Sequence, residues 1–176
     1  MIIAITGTPG TGKSELGKEL ARRNHNVIFL SGFIRENGLL GEYEPETGSC
    51  DVETEELDRA LAGYVRSSET YYAEGHLSHF LTCSAAIVLR CSPEVLAGRL
   101  EARGYSQEKV RENVQAEVLD VILCEAGSPG TSVYELDSTS HTVEELADSV
   151  QEIADGKTEN YLPGKTDWTG DIDRWF

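Results

Sequence analysis

Gly7-Thr8-Pro9-Gly10-Thr11-Gly12-Lys13-Ser14 is the stretch of sequence that decides the fold. Its spacing, G-x-x-x-x-G-K-S, lets successive backbone N–H groups turn toward a phosphate, which only a glycine-rich bend permits. An apolar run at residues 2–6 precedes it and predicts a buried parallel strand, and residues 15–21 follow it with apolar side chains at helical spacing. The order of strand, glycine loop and helix is the context that a phosphate-binding P-loop requires.

The residue types in the loop indicate how a nucleoside triphosphate and its Mg²⁺ would bind. The Lys13 ammonium would neutralise the β- and γ-phosphate oxygens, and the Ser14 hydroxyl would ligate Mg²⁺. The predicted ATP-binding residues of this segment are Gly10, Thr11, Gly12, Lys13, Ser14 and Glu15. A P-loop by itself is compatible with a kinase, a GTPase, a motor or a switch ATPase, but the sequence has no N-K-x-D segment of the kind that binds guanine.

Strand and helix patterns alternate along the chain, which predicts an α/β fold. We expect one P-loop kinase domain at residues 1–156, built on a five-stranded parallel sheet with helices on both faces and right-handed crossovers. The predicted strands are residues 2–6, 27–30, 70–73, 85–90 and 132–136. The predicted helices are residues 15–21, 53–66, 92–103, 106–126 and 142–154.

The last residues, 157–176, form a polar tail that nevertheless holds both tryptophans of the chain, Trp168 and Trp175, and the terminal Phe176. Two interpretations are open: a tail packed on its own domain, or a peptide that binds a partner.

Composition limits the partners. The chain has 15 Lys and Arg against 31 Asp and Glu, a formal charge of -16. Such a charge disfavours extensive direct binding of RNA or DNA and is compatible with a basic protein partner, or with a solvated surface in a salty cytoplasm. The sequence has no membrane-spanning stretch of about 18 apolar residues, and its first residues do not resemble a signal peptide. We expect a cytoplasmic protein.

Cations in two places are candidates for contact with phosphate groups. Arg35 is the only Lys or Arg between Arg23 and Arg59, and eight carboxylates lie at residues 42–58, so an anionic acceptor would depend on Arg35. Four cations surround the helix break Gly104-Tyr105-Ser106 and predict a lid that closes over the transferring phosphates. They are Arg99, Arg103, Lys109 and Arg111. The alternatives are an ordinary surface salt bridge and an ordinary helix corner.

Glu74-Gly75-His76 follows a predicted strand, at the sheet edge where α/β proteins bind their ligands. The Glu74 carboxylate could hold Mg²⁺ through a water, and the His76 imidazole could orient an attacking water or gate an acceptor site. A zinc site that combines these two residues with His79 and Cys83 is an alternative. His79 by itself is interpreted as structural.

Several segments resemble the adenylate kinase isoenzyme 6 family, the atypical adenylate kinases tied to small-subunit ribosome assembly. The matching segments are residues 7–14, Glu74-Gly75-His76, Val88-Leu89-Arg90-Cys91, and the run Arg99-Leu100-Glu101-Ala102-Arg103-Gly104-Tyr105-Ser106, with Lys109, Glu112-Asn113 and Ala116-Glu117 after it. The resemblance covers residues 1–150. It implies a nucleoside monophosphate kinase fold with an acceptor-binding segment at residues 29–52 and a short lid at residues 102–112.

The same resemblance implies residue roles and a partner. It places Lys13 on the ATP phosphates, Arg35 at the acceptor phosphate, Arg103 over ATP, and His76 at the family's Walker B histidine. It also implies a basic small-subunit ribosomal protein as partner, within a pre-ribosomal particle. Two departures are present: Glu74 replaces the aspartate of eukaryotic members, and residues 80–84 lack the acidic and proline residues expected after the histidine.

Three functions are therefore predicted in competition. The first is phosphoryl transfer from ATP to AMP, with broad nucleoside monophosphate kinase character, ATPase activity and a role in rRNA maturation. Its catalytic residues would be Lys13, Arg35, Glu74, His76 and Arg103, with Mg²⁺ held by Ser14 and, through water, Glu74. The second is an ATP-hydrolysing switch for a basic ribosomal protein. The third is a kinase for another small acceptor, such as a sugar or a shikimate-like acid.

Overall fold

Seven strands occur in the computed structural model, which describes residues 1–41, 43–44, 49–127 and 130–176. In chain order they are β1 Ile2–Gly7, β2 Asn26–Phe29, β3 Tyr43–Glu44, β4 Ser49–Cys50, β5 Tyr71–Glu74, β6 Ala85–Arg90 and β7 Ser132–Asp137. Five of them form one parallel sheet in the spatial order β2-β5-β1-β6-β7, and β3 pairs with β4 in a small antiparallel hairpin. The carboxyl ends of β1, β5 and β6 therefore meet at one edge.

The helices connect these strands. They are α1 Lys13–Arg22, α2 Leu30–Glu36, α3 Thr54–Tyr64, α4 Pro93–Ala102, α5 Gln107–Val118, α6 Val121–Glu125, α7 Val143–Ala154 and α8 Ile172–Trp175. Short 3₁₀ turns lie at Ser78–Phe80, Glu159–Tyr161 and Thr169–Asp171. None of the helices in the described part of the chain is long and apolar enough to cross a membrane.

The central strand β1 is buried along its whole length, which explains its continuous apolar sequence. Its alternate side chains enter two different cores. Ile3 and Ile5 pack with Leu16 and Leu20 of α1 and with α7. On the other face, Ile2 packs with residues of α2 and α3, and Ala4 with residues around α6.

The predicted fold is confirmed: this is a P-loop nucleoside monophosphate kinase-like fold with five parallel strands. Two local predictions are wrong. Leu30 begins α2 instead of ending a strand. The helix predicted at residues 106–126 is two helices, because Asp120 adopts a left-handed conformation with φ 55°. Asp120 bonds there to the Arg90 guanidinium, a tertiary contact that helical periodicity does not reveal.

Arg90 lies at the end of β6 with only 1% of its side chain exposed. Its Nε donates to Glu117 Oε1 of α5 at 2.7 Å, and its Nη1 donates to Glu135 Oε1 of β7, also at 2.7 Å. Nη2 donates to the Glu117 backbone carbonyl and to Asp120. One guanidinium thus joins the sheet to the two helices that follow the predicted lid.

The C-terminal tail packs on its own domain, which was the first of the two interpretations of residues 157–176. Trp168 and Trp175 lie against the apolar cluster that α4 and α5 share. Arg111 of α5 donates to the backbone carbonyls of Trp175 at 3.1 Å and Phe176 at 2.8 Å, and Gln115 donates to the Trp175 carbonyl at 2.8 Å. The end of the chain therefore braces the helix that returns from the predicted lid.

The Arg90 contacts generate a stability prediction. Arg90→Leu should lower the free energy of unfolding by about 3–5 kcal/mol, because it leaves buried carboxylates without their counter-ion. Urea unfolding at pH 7 measures this change. Lys18→Ala, which removes an exposed ion pair with Glu15, is the control and should leave the unfolding midpoint within experimental error. A midpoint for Arg90→Leu equal to that of the wild type would contradict the assignment.

Candidate functional site

The glycine loop connects β1 to α1 through conformations that require glycine. Gly7 has φ 139°, and a Cβ added there would lie 2.4 Å from the Leu89 carbonyl oxygen. Gly12 has φ 100° and is the N-cap of α1. Side chains at these positions would strain the backbone or collide with β6. The fold therefore places the positive N-terminal end of α1 at the sheet edge, where an anion can bind.

Lys13 lies in the first turn of α1 with its ammonium bent over the loop. Its Nζ donates to the Gly7 carbonyl at 2.7 Å and to the Thr8 carbonyl at 3.0 Å. Burial lowers the pKa of Lys13 to about 8, although the negative charges of Glu74 and Glu117 act in the opposite direction. A bound triphosphate would offer this ammonium a charged acceptor in place of two neutral carbonyls.

Ser14 and Glu74 meet in front of the loop. Their side chains come from α1 and from the end of β5, and the Ser14 hydroxyl donates to Glu74 Oε1 at 3.0 Å. The parallel register that pairs Ile5 with Glu74 brings this carboxylate beside the P-loop. A hydroxyl and a carboxylate are oxygen ligands of the kind that Mg²⁺ prefers, with phosphates and waters completing its shell. The two side chains therefore fit the predicted magnesium site.

A cavity of about 340 Å³ opens over these groups. Its walls come from the glycine loop, the first half of α2, the residues after β5, and the turn after α4. The lining side chains that carry charge or can titrate are Lys13, Glu74, His76 and Arg103. The structure thus brings four of the five predicted catalytic residues together. The fifth, Arg35, is exposed and is not among the residues that line the cavity, although Ser31 and Ile34 of the same helix do line it.

His76 stands between this cavity and a second one of about 470 Å³, which it also lines. Its ring remains accessible to solvent, yet the protein atoms packed around it lower its pKa, and the charge of Lys13 acts in the same direction. The imidazole is therefore neutral at pH 7 and can accept a proton.

The cations of the predicted lid separate into two groups. Arg103 lines the first cavity and Lys109 lines the second. Arg99 instead donates to Ser138 beyond β7, at 2.8 Å from the carbonyl oxygen, and Arg111 holds the tail. Arg99 and Arg111 are thus occupied by structural contacts in this conformation.

The acceptor-binding segment predicted at residues 29–52 includes the hairpin of β3 and β4. Residues 42 and 45–48 of that segment lie outside the described residues. Within the described part, Leu30, Ser31 and Ile34 of α2 line the first cavity.

His79 is buried and bonded at both ring nitrogens, to the Thr6 hydroxyl at 2.8 Å and to Glu125 at 3.2 Å. Both nitrogens are occupied, in agreement with the structural interpretation and against the zinc alternative. Among the residues that the structure describes, no group of three or more His, Cys, Asp or Glu side chains is arranged to hold a metal ion.

Sequence reasoning missed the polar contact behind the loop. The Thr8 hydroxyl donates to Glu117, a buried carboxylate of α5. The two residues are 109 positions apart. A glutamate among the apolar positions of α5 was the available signal, but only the folded chain shows its partner.

Comparison with known proteins agrees with this geometry. Residues 3–120 match the AAA domain family. The chain is 40% identical over 176 residues to a protein of Archaeoglobus fulgidus named "Putative adenylate kinase", with 98% of this chain and 94% of that protein covered. It is also 40% identical over 170 residues to a protein of the same name from Methanocaldococcus jannaschii, with 96% and 93% covered.

Solved structures with lower identity share the fold. Shikimate kinase from Bacteroides thetaiotaomicron superimposes with a TM-score of 0.59 at 19% identity, covering 88% of this chain and 98% of that chain. Deoxyadenosine kinase from M. mycoides superimposes with a TM-score of 0.54 at 15% identity, covering 90% and 100%.

The buried ammonium predicts proton uptake on nucleotide binding. The pKa of Lys13 in the free protein is about 8, and phosphate charge should raise it. Binding of ATP with Mg²⁺ at about pH 8.5 should therefore take up a proton, whereas at about pH 6.5 Lys13 already carries one. Calorimetry in two buffers of different ionisation enthalpy measures the difference. Lys18→Ala, at an exposed lysine of the same helix, should behave as the wild type. Equal proton uptake at both pH values would refute the assignment.

Proposed function

Since the chain belongs to the adenylate-kinase-like family of these archaeal proteins, we propose that it transfers the γ-phosphoryl group of ATP to AMP and, more slowly, to other nucleoside monophosphates. One observation carries the proposal: Lys13, Glu74 and Arg103 converge on one cavity that residues of α2 also line. A P-loop next to an open acceptor side is the arrangement that in-line phosphoryl transfer between two bound substrates requires.

Each group has a role in this transfer. Lys13 neutralises charge on the phosphoryl oxygens, and Ser14 with Glu74 holds Mg²⁺, directly and through water. Arg103 is at the C-terminal end of α4, where a small movement of the predicted lid would bring it over the transferred group. Arg35 is exposed on the helix whose Ser31 and Ile34 line the cavity, and in this proposal it binds the acceptor phosphate when α2 closes on the substrate, a movement that substrate-binding segments undergo.

ATP hydrolysis is a second activity that a specific observation favours. His76 is accessible, has a lowered pKa and lies beside Glu74 at the boundary of the two cavities. A neutral imidazole there can orient a water and accept its proton when no acceptor occupies the cavity. We therefore propose that hydrolysis accompanies the kinase reaction.

The resemblance to the adenylate kinase isoenzyme 6 family extends the proposal to small-subunit ribosome maturation. A net charge of -16 supports a basic protein partner, because opposite charges accelerate the encounter of the two proteins. Direct contact with RNA is disfavoured, because the chain and the RNA phosphates are both negatively charged. The eight carboxylates at residues 42–58 provide a concentrated acidic segment for such a partner. A pull-down with and without ATP, with small-subunit proteins as the readout, tests this part of the proposal.

An acceptor panel tests the kinase proposal. ADP formation from ATP should rise when AMP is added, and CMP and dAMP should give smaller increases, because the proposed acceptor site recognises a nucleoside monophosphate. A coupled assay with ATP alone as the baseline measures the rates. Shikimate and a sugar serve as acceptors of another chemical class. If no nucleoside monophosphate raises the rate above the ATP-only baseline, the kinase proposal fails.

A substitution at His76 separates the two activities. His76→Ala should reduce ATP hydrolysis by about 10²-fold, the effect of losing a general base, and leave ATP affinity within a few-fold of the wild type. Steady-state hydrolysis and calorimetric binding provide the two numbers. His25→Ala, at the opposite end of the sheet, is the control and should change neither. A parallel loss of affinity and hydrolysis would show that His76 is structural.

A further inference from the structure

The P-loop is bonded to the helix that returns from the predicted lid. Thr8 is 1% exposed, and its hydroxyl donates to Oε2 of Glu117, which is 2% exposed. A hydrogen bond between two fully buried groups, one of them a carboxylate, is strong and geometrically demanding. The position of Thr8 is therefore set by a residue of α5, outside the loop and its flanking elements.

The carboxylate that receives this bond is itself held rigidly. Glu117 Oε1 accepts from Arg90 Nε at 2.7 Å and from the backbone N–H of Cys91 at 3.1 Å. Both donors belong to the end of β6 or the residue after it. Glu117 thus bridges the sheet edge and the P-loop, with one oxygen facing each.

The C-terminal tail supports the bridge from two sides. Glu135, which also binds Arg90, accepts from the backbone N–H groups of Gly164 at 2.9 Å and Lys165 at 3.2 Å. Earlier on α5, Gln115 and Arg111, two and six positions before Glu117, hold the other end of the tail. The tail thus contacts both a second partner of Arg90 and the helix that carries Glu117.

Thr8 is also one of the two residues whose backbone carbonyls accept hydrogen bonds from Lys13. The Lys13 ammonium donates to the Thr8 carbonyl at 3.0 Å, and a nucleotide phosphate would draw the ammonium away from it. The loop then loses an internal bond at the moment when its amides must stay aligned on the phosphates. The hydroxyl of the same residue remains anchored to Glu117, and the negative charge of Glu117 also favours the charged form of Lys13.

We propose that Glu117 is a positioning residue for phosphoryl transfer, which acts through the Thr8 hydroxyl to keep the P-loop in its phosphate-binding conformation when Lys13 moves to the nucleotide. The inference rests on the proposed kinase function. It assigns no contact between Glu117 and the substrates.

Substitutions at Thr8 isolate the bridge while leaving Arg90 and Glu117 paired. Thr8→Val replaces the hydroxyl by a methyl group of similar size, and Thr8→Ser retains the hydroxyl. In the ATP and AMP assay, Thr8→Val should lower kcat by about tenfold or more, with KM for ATP changed less than threefold, because the bond acts on the aligned transition state. Thr8→Ser should recover most of the wild-type kcat.

Thr82→Val is the matched control. Its hydroxyl also donates to a carboxylate, Asp58 Oδ2 at 2.7 Å, but at the surface and away from the loop. Wild-type kinetics are expected for it. Circular dichroism and thermal unfolding establish that each variant is folded, and Thr8→Ala replaces Thr8→Val if valine prevents folding.

The outcomes separate this inference from the proposed function. An active wild type with a folded Thr8→Val variant of equal kcat overturns the positioning role, whatever its change in Tm. Equal losses in Thr8→Val and Thr8→Ser would also overturn it, because the hydroxyl would then be irrelevant. If the wild type does not phosphorylate AMP, the kinase proposal is refuted instead. The same variants are then compared by their rates of ATP hydrolysis. In that assay Thr8→Val should again lose about tenfold in rate, and Thr8→Ser should recover it.

Discussion

The ion pair between Arg90 and Glu117 is the interaction on which the rest of the site depends. It joins the end of a central strand to the helix that returns from the predicted lid, and both side chains are almost completely buried. Buried charges are costly unless each is paired and hydrogen-bonded, and here the guanidinium meets Glu135 and Asp120 as well. The arrangement specifies where α5 ends and turns, since Asp120 takes its left-handed conformation against the same guanidinium. The elements that surround the P-loop are therefore held by geometry-demanding polar contacts as well as by apolar packing.

The loop itself has a second requirement, which is electrostatic. The ammonium of Lys13 is buried at a helix N-terminus and, in the structure, satisfied by two backbone carbonyls. Such a group is costly to bury, and the lowered pKa is the measure of that cost. A bound triphosphate would relieve this cost by providing negative charge, so the site is organised for an anion. Glu74, placed by the parallel register of β5 with β1, supplies the opposite charge that a divalent cation requires.

The two sides of the nucleotide cleft differ in how far they are assembled. On the ATP side, Lys13, Ser14 and Glu74 are in contact or close to contact, and Arg103 lines the same cavity. On the proposed acceptor side, Arg35 is exposed and does not line the cavity, although other residues of its helix do. A preformed phosphate site beside an open acceptor side is typical of an enzyme in which binding of the second substrate closes the cleft. Before that closure, a water molecule can enter the acceptor side. The proposed combination of kinase and ATPase activities follows from this asymmetry.

What the sequence by itself determined is local. The stretch from Gly7 to Ser14 predicted a P-loop, because the spacing of its glycines and its single lysine is enough to identify one. Apolar runs such as residues 2–6 and 85–90 predicted buried parallel strands. The same local signals placed Glu74 and His76 at the correct sheet edge. Only the tertiary structure decided that Arg90 pairs with Glu117, that Thr8 is bonded to α5, that Asp120 breaks a helix, and that the two tryptophans pack against α4 and α5 of the same chain. The hydrogen bonds among these contacts join residues that are 27 to 109 positions apart in the sequence. The periodicity of apolar residues predicts helices and strands, but it does not show which of several polar side chains the folded sheet brings within hydrogen-bond distance.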